Sequence, residues 1–166
     1  MKWITWTAAL VLVLATPARG AEDGNAGFDR ITDHYEKIRV TLLHDSVEGV
    51  AAEADAIAGL VTKLQGGFEP AEAGIVAGKS GEFEHLLPSL GQSAAALAGA
   101  TDIKQIREHF AELSKGMVAY RQMTEDPDPV VVFCPMAQKV WLQPSGEIGN
   151  PYHGQSMPRC GEVVSE

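Results

Sequence analysis

Two cysteines and two methionines near the end of the chain are the residues best suited to chemistry. Cys134 and Met136 are two residues apart, Met157 and Cys160 are three apart, and His153 lies between the two pairs. If the fold brings the pairs together, it collects two thiols and two thioethers with a histidine nearby. Such a set of soft ligands favours Cu(I) or Ag(I) over hard cations. Zinc would need His153 and a fourth ligand that the sequence does not identify.

A disulfide between Cys134 and Cys160 is the alternative. Loop-closure entropy gives such a bridge a stabilisation of about 3.5 kcal/mol. It would hold down a tail with little core of its own, because six of the nine prolines lie at or beyond position 127. Met136 and Met157 would then be packing residues. A disulfide and a dithiolate metal site exclude each other at any moment, so the residues leave both open.

The first twenty residues have the pattern of a secretory signal peptide. Lys2 supplies a positive start, residues 6–15 form an apolar stretch, and Ala18-Arg19-Gly20 offers small residues at a cleavage position. We therefore expect a protein that is periplasmic or secreted. An oxidising compartment of this kind permits a disulfide.

Composition narrows the class of function. The chain has 13 basic and 22 acidic residues, a formal net charge of −9, which argues against nucleic acid and anionic lipid as partners. No segment after the signal peptide is long and apolar enough to suggest a membrane helix. The sequence contains no GxSxG or HExxH motif. We predict a protein that is not an enzyme.

Apolar residues at helical spacing organise the first two thirds of the chain. After a flexible leader at 21–27, they step by three and four residues through four long segments. Asp45 or Ser46 is predicted to cap the second segment, and Thr101 the fourth. Pro70 could open a short helix through residue 77, and Pro88 should begin or bend the third long helix. The pattern predicts a mainly α fold, with residues 28–124 as an antiparallel four-helix bundle.

Residues 125–166 change in character and form the predicted C-terminal lobe. Residues 130–133 are β-branched and aromatic, and residues 139–143 alternate enough for a second strand. Pro144-Ser145-Gly146 and Asn150-Pro151 read as turns. We predict a small β-hairpin or extended lobe that contains the Cys and Met residues and packs on the helices.

The tail resembles a bacterial domain family of unknown function. That family occurs alone in exported proteins and at the C-terminus of periplasmic adaptor subunits of copper/silver-type heavy-metal efflux pumps. The likeness extends over residues 28–164. It is carried by Cys134-Pro135-Met136-Ala137, Trp141-Leu142-Gln143, Ile148-Gly149-Asn150-Pro151-Tyr152, Gly154, Met157 and Cys160-Gly161-Glu162.

The resemblance implies a role in metal handling. Cys134, Met136, Met157 and Cys160 occupy the matching motif positions, whereas His153 stands where an aromatic residue is expected. Our hypothesis is an exported, non-catalytic protein that binds Cu(I) or Ag(I) and buffers the ion or passes it to an efflux system. The alternative is a disulfide-stapled module that docks on an efflux adaptor or another envelope protein and binds no metal.

Overall fold

The computed structural model describes residues 26–164, a mainly helical fold with a small antiparallel sheet near its C-terminal end. The predicted signal peptide and leader residues 21–25 lie outside the described residues. In chain order the elements are α1 (Ala26–Leu43), α2 (Val50–Gln65), α3 (Pro70–Ala73), α4 (Ser80–Ala98), α5 (Ile103–Arg121), β1 (Val130–Cys134), β2 (Lys139–Gln143), a 3-10 helix (Gly154–Ser156) and β3 (Glu162–Val163).

The four long helices each bury one apolar stripe, as the helical spacing predicted. In α1, for example, the buried residues are Phe28, Ile31, Tyr35, Ile38 and Leu42. Burial of each such side chain contributes about 1.5–3 kcal/mol, which makes these stripes the main source of stability. Helix α1 contacts α2 and α5, and α4 contacts α2 and α5. The arrangement of these helices as an antiparallel four-helix bundle stays a prediction.

The predicted helix caps were wrong at two positions. Gly49, in a left-handed conformation with φ +79°, precedes α2 without a side-chain cap. Asp45 is instead engaged with groups from elsewhere in the fold. At α5 the cap is Asp102, whose Oδ1 accepts hydrogen bonds from two backbone N–H groups, rather than Thr101. At α5 the error arises because Thr101 and Asp102 are adjacent and both suit an N-cap, whereas at α2 the helix begins later than predicted, after Gly49.

Two proline-containing segments also differ from the expectation. Helix α3 starts at Pro70 but ends at Ala73, since Gly74 adopts a left-handed φ of +72° there. Helix α4 starts at Ser80 and continues through Pro88. Pro88 lies on the exposed side of the helix, so the carbonyl four residues earlier, which Pro88 cannot bond, lies on the side that water reaches.

The predicted hairpin is confirmed, and a third strand joins it. The strand order is β2-β1-β3, with both pairings antiparallel. Val132 lies opposite both Trp141 in β2 and Val163 in β3. Val132 and Trp141 are fully buried, and β2 contacts α5, so the sheet belongs to the same core as the helices. Within residues 26–164, no helix is both long and apolar enough to cross a membrane.

Candidate dithiol site

The fold brings the two cysteines together. Their Sγ atoms lie 3.1 Å apart, and no disulfide joins them in this structure. Cys134 is the last residue of β1, and Cys160 comes just before β3. Because Phe133 pairs with Glu162 across these antiparallel strands, the end of β1 and the start of β3 meet at one corner of the sheet.

The turn after Cys134 directs backbone N–H groups at its sulfur. Residues 135–138 join β1 to β2, and Ala137 N–H donates to Cys134 Sγ at 3.4 Å. Burial on its own would raise the pKa of Cys134. Donors from Ala137, Cys160, Asn150 and Met136 outweigh it and hold the pKa of this thiol below its ordinary value. The site is therefore built to accept a thiolate at Cys134.

Cys160 has the opposite character. Its thiol hydrogen bonds to Cys134, and this bond, together with desolvation and the charge on Cys134, raises the pKa of Cys160 above its ordinary value. Cys134 is completely buried, whereas Cys160 is partly exposed. The pair thus combines an inner sulfur that favours the thiolate with an outer sulfur that keeps its proton.

Asn150 holds the loop that carries Cys160. Its side chain is fully buried, and its Nδ2 donates to the Cys160 carbonyl at 2.6 Å. Its Oδ1 accepts from the backbone N–H groups of Tyr152 at 2.8 Å and His153 at 3.0 Å. Its own N–H donates to the Pro158 carbonyl at 2.8 Å. Asn150 therefore positions Cys160, because its hydrogen bonds join residues 150–153 to residues 158–160.

The ring of Trp141 packs against the backbone of Gly161, at the corner of the sheet where the two cysteines meet. A Cβ added to Gly161 would lie 2.7 Å from the Trp141 ring and 2.9 Å from Val132. Only glycine lets the backbone beside Cys160 approach the indole so closely. This close approach brings Cys160 within reach of Cys134.

Two arginines of the helices bind the tail. Arg39 of α1 is almost completely buried, donates to the Gly149 carbonyl at 2.7 Å, and pairs with Glu36 on its own helix. Arg107 of α5 donates to the Pro151 carbonyl at 2.8 Å and forms an ion pair with Asp45 at 2.6 Å. The lobe is thus anchored independently of any bond between the cysteines.

A chain of hydroxyl groups connects the lobe to the helix core. Ser114 Oγ lies 2.6 Å from the Tyr35 hydroxyl and 3.2 Å from the Tyr152 hydroxyl. Tyr152 also donates to the Val140 carbonyl at 2.6 Å, and Leu142 N–H donates to Tyr35 at 3.2 Å. Burial raises the pKa of both tyrosines well above the ordinary value. These phenols therefore stay neutral and serve as structural links between strand β2 and the helices.

The remaining predicted ligands differ in their placement. Met136, in the turn after Cys134, is 68% exposed, and Met157 is half-buried. His153 lines a cavity of about 300 Å³ beside α5, and its Nε2 is buried without a hydrogen-bond partner among the described residues.

Within residues 26–164, no group of three or more His, Cys, Asp and Glu side chains is placed to hold a metal ion. His153 therefore does not complete a three-ligand set with the two cysteines in this structure. Its role as a ligand stays a prediction.

The sequence did not reveal the supporting residues Arg39 and Arg107. Each is a basic residue directly beside a buried apolar position of its helix, Ile38 and Ile106, and that adjacency was the available signal. Charged residues in such positions are usually solvated, so the pattern was not specific. Asn150 and Tyr152 were recognised as a turn, but the sequence did not show that Asn150 positions Cys160 or that Tyr152 links strand β2 to the helices.

Comparisons with known proteins add no relative: no family model, no curated protein and no solved structure matches this chain. The likeness to the efflux-associated domain family therefore stays a prediction from the sequence motif.

Proposed function

We propose that this protein is an exported carrier of a soft metal ion, which binds one Cu(I) or Ag(I) between the thiolates of Cys134 and Cys160. The observation that supports the proposal is the pair of sulfurs 3.1 Å apart, one of which accepts a hydrogen bond from the backbone N–H of Ala137. The scaffold beneath them would be four antiparallel helices. The protein would buffer the ion or pass it to a heavy-metal efflux adaptor, without catalysing a reaction.

The ligand types favour Cu(I) and Ag(I) over other ions. Two thiolates suffice for a soft ion that accepts low coordination, and thioethers can add to them. Structural zinc takes four ligands from Cys, His and carboxylates. The described part of the chain offers the two cysteines no third ligand of that kind. A hard cation such as Mg²⁺ would need oxygen ligands instead.

The second candidate, a disulfide-stapled interaction module, has one observation in its favour. Sulfurs 3.1 Å apart need only a small approach to form an S–S bond of about 2.05 Å. Against it, the lobe is already held by Arg39, Arg107 and the buried Trp141, so a staple is not needed to keep it folded. An exposed apolar patch formed by Trp141 and Tyr152 would favour the interaction module, but both side chains are buried.

The two candidates are separated by an anaerobic Cu(I) titration of the reduced protein, preceded by a thiol count on protein purified without reductant. We expect readily reducible thiols and uptake of one Cu(I) per chain. Cys134→Ser and Cys160→Ser should each abolish stoichiometric uptake, whereas Met123→Leu, at a methionine two residues beyond the end of α5, should retain it. Circular dichroism shows whether each variant is folded. Thiols paired in a reduction-resistant disulfide, with no uptake after forced reduction, would support the interaction module.

A further inference from the structure

We propose that Met136 is the receiving ligand of the dithiol site: an incoming Cu(I) binds its thioether first and then moves inward to Cys160 and Cys134. This inference rests on the proposed function and adds the direction in which the ion travels. It assigns Met136 a kinetic role rather than a permanent place in the bound complex.

Exposure to solvent decreases from Met136 to Cys160 to Cys134. Met136 is 68% exposed, Cys160 is partly exposed, and Cys134 is 0% exposed. Met136 lies in the turn of residues 135–138, whose Ala137 N–H donates to Cys134 Sγ at 3.4 Å, and Met136 itself is largely exposed to solvent. An ion from outside can therefore meet the thioether before it meets the buried thiolate.

Packing does not account for Met136. The other large apolar side chains exposed in the described part of the chain are valines, the most exposed of them Val164 at 54%. Met136 is more exposed than any of them and lies in the turn next to Cys134. Methionine has a polarizable thioether that binds soft ions, and here it contributes little to the core.

The chemistry of the three sulfurs gives the transfer a direction. A thioether is neutral, loses no proton on binding, and holds Cu(I) weakly. Cys160 must release its proton, which goes to solvent or to the ligand leaving the donor, before it binds as a thiolate. Cys134 is completely buried, so it is the last of the three sulfurs that the ion reaches. Each Cu–S bond formed replaces a bond to the donor or to the previous sulfur, and copper stays Cu(I) throughout.

The experiment is a stopped-flow measurement under anaerobic conditions, with reduced protein and the Cu(I) complex of bicinchoninic acid as the donor. We expect Met136→Leu to slow the transfer by about 10–100-fold, the usual range for loss of one supporting group at a metal site. Equilibrium affinity, measured by competition with the same chelator, should change by less than about threefold, because the two thiolates are intact. Leucine has a similar size and no sulfur, so the exposed turn should fold unchanged.

Met123→Leu is the matched control and should transfer Cu(I) at the wild-type rate. An unchanged rate in Met136→Leu would overturn the proposal, as would a slower rate in Met157→Leu instead. A large loss of equilibrium affinity in Met136→Leu would make Met136 a permanent ligand and would also overturn it. If the wild-type protein takes up no Cu(I), the proposed function itself fails, and that result is distinct from a rate effect confined to one methionine.

Discussion

Cys134 and Cys160 are identical side chains with different chemical properties. The difference comes from their positions: Cys134 faces the N–H groups of a tight turn, whereas Cys160 faces the sulfur of Cys134. N–H donors stabilise a negative charge, and a neighbouring thiolate opposes a second one. The pair therefore releases its two protons in separate steps, and metal uptake should depend on pH because the second proton has to leave.

This inequality can be measured at the residue scale by following thiolate absorbance of the reduced protein against pH. We expect one step below the pKa of an ordinary cysteine and one above it. Cys160→Ser should remove the upper step and keep the lower one, because its hydroxyl still donates to Cys134. Cys160→Ala lacks that donor, so its lower step should move to higher pH. A single step at the ordinary cysteine pKa in the wild-type protein would contradict the assignment.

The starts of helices α2 and α5 show that the capping residue cannot be chosen by residue type alone. Thr101 and Asp102 are adjacent and both suit a helix N-cap, and the structure uses Asp102. Near the start of α2, Asp45 and Ser46 are equally suitable by type. Asp45 instead accepts hydrogen bonds from Arg107 of α5 at 2.6 Å and from the Gln155 backbone at 3.0 Å. A residue whose type suits a helix cap, such as Asp45, can thus form hydrogen bonds with distant elements instead.

The cap of α5 supplies a prediction at the element scale. Asp102→Ala should lower the free energy of unfolding by about 1 kcal/mol, because two backbone N–H groups lose their acceptor. Thr101→Ala, the matched control, should change it by less than about 0.5 kcal/mol, as is usual for surface substitutions. Urea denaturation followed by circular dichroism measures both. If Thr101→Ala lowered the free energy of unfolding more than Asp102→Ala, Thr101 would be the cap, as the sequence predicted.

Across the whole molecule, helices and lobe share one core. Phe110 of α5 stacks on Tyr35 of α1 at 4.8 Å and lies 6.0 Å from Tyr152 of the lobe, whose ring meets Trp141 at 5.8 Å. All three tyrosines of the chain are buried, the third being Tyr120, and burial raises the pKa of each. Ionisation of these phenols is therefore coupled to unfolding of the whole core.

This coupling predicts alkaline unfolding. A phenol with a higher pKa in the folded state stabilises the protein fully below its unfolded pKa, about 10, and this stabilisation is lost as the pH rises above it. We expect tyrosinate absorbance to appear together with loss of the helical circular dichroism signal. The protein unfolded in guanidinium should titrate near pH 10 without a cooperative change. Tyrosinate formation in a protein that keeps its helical signal would contradict this expectation.

The helices and strands whose apolar residues recur at a regular short spacing could be predicted from the sequence. The apolar stripes of Phe28 to Leu42 in α1 and Ile106 to Tyr120 in α5 follow the helical period, and the hairpin follows from β-branched runs around a turn. The third strand, of two residues, is too short to have a pattern of its own. Arg39 and Arg107 were missed because a buried arginine and a solvated one look alike in sequence.

The sequence by itself determined the mainly helical class, the position of the hairpin, and the identity of the sulfur-bearing residues, because each depends on residue type and local spacing. Tertiary structure alone decided that the sulfurs of Cys134 and Cys160 lie 3.1 Å apart, that Met136 faces solvent, and that His153 lies beside α5. These placements depend on pairing between strands and on contacts across 26 or more residues of chain, such as Arg39 to Gly149. Local propensity contains no information about such distances, since they follow from burying the shared core and satisfying its hydrogen bonds together.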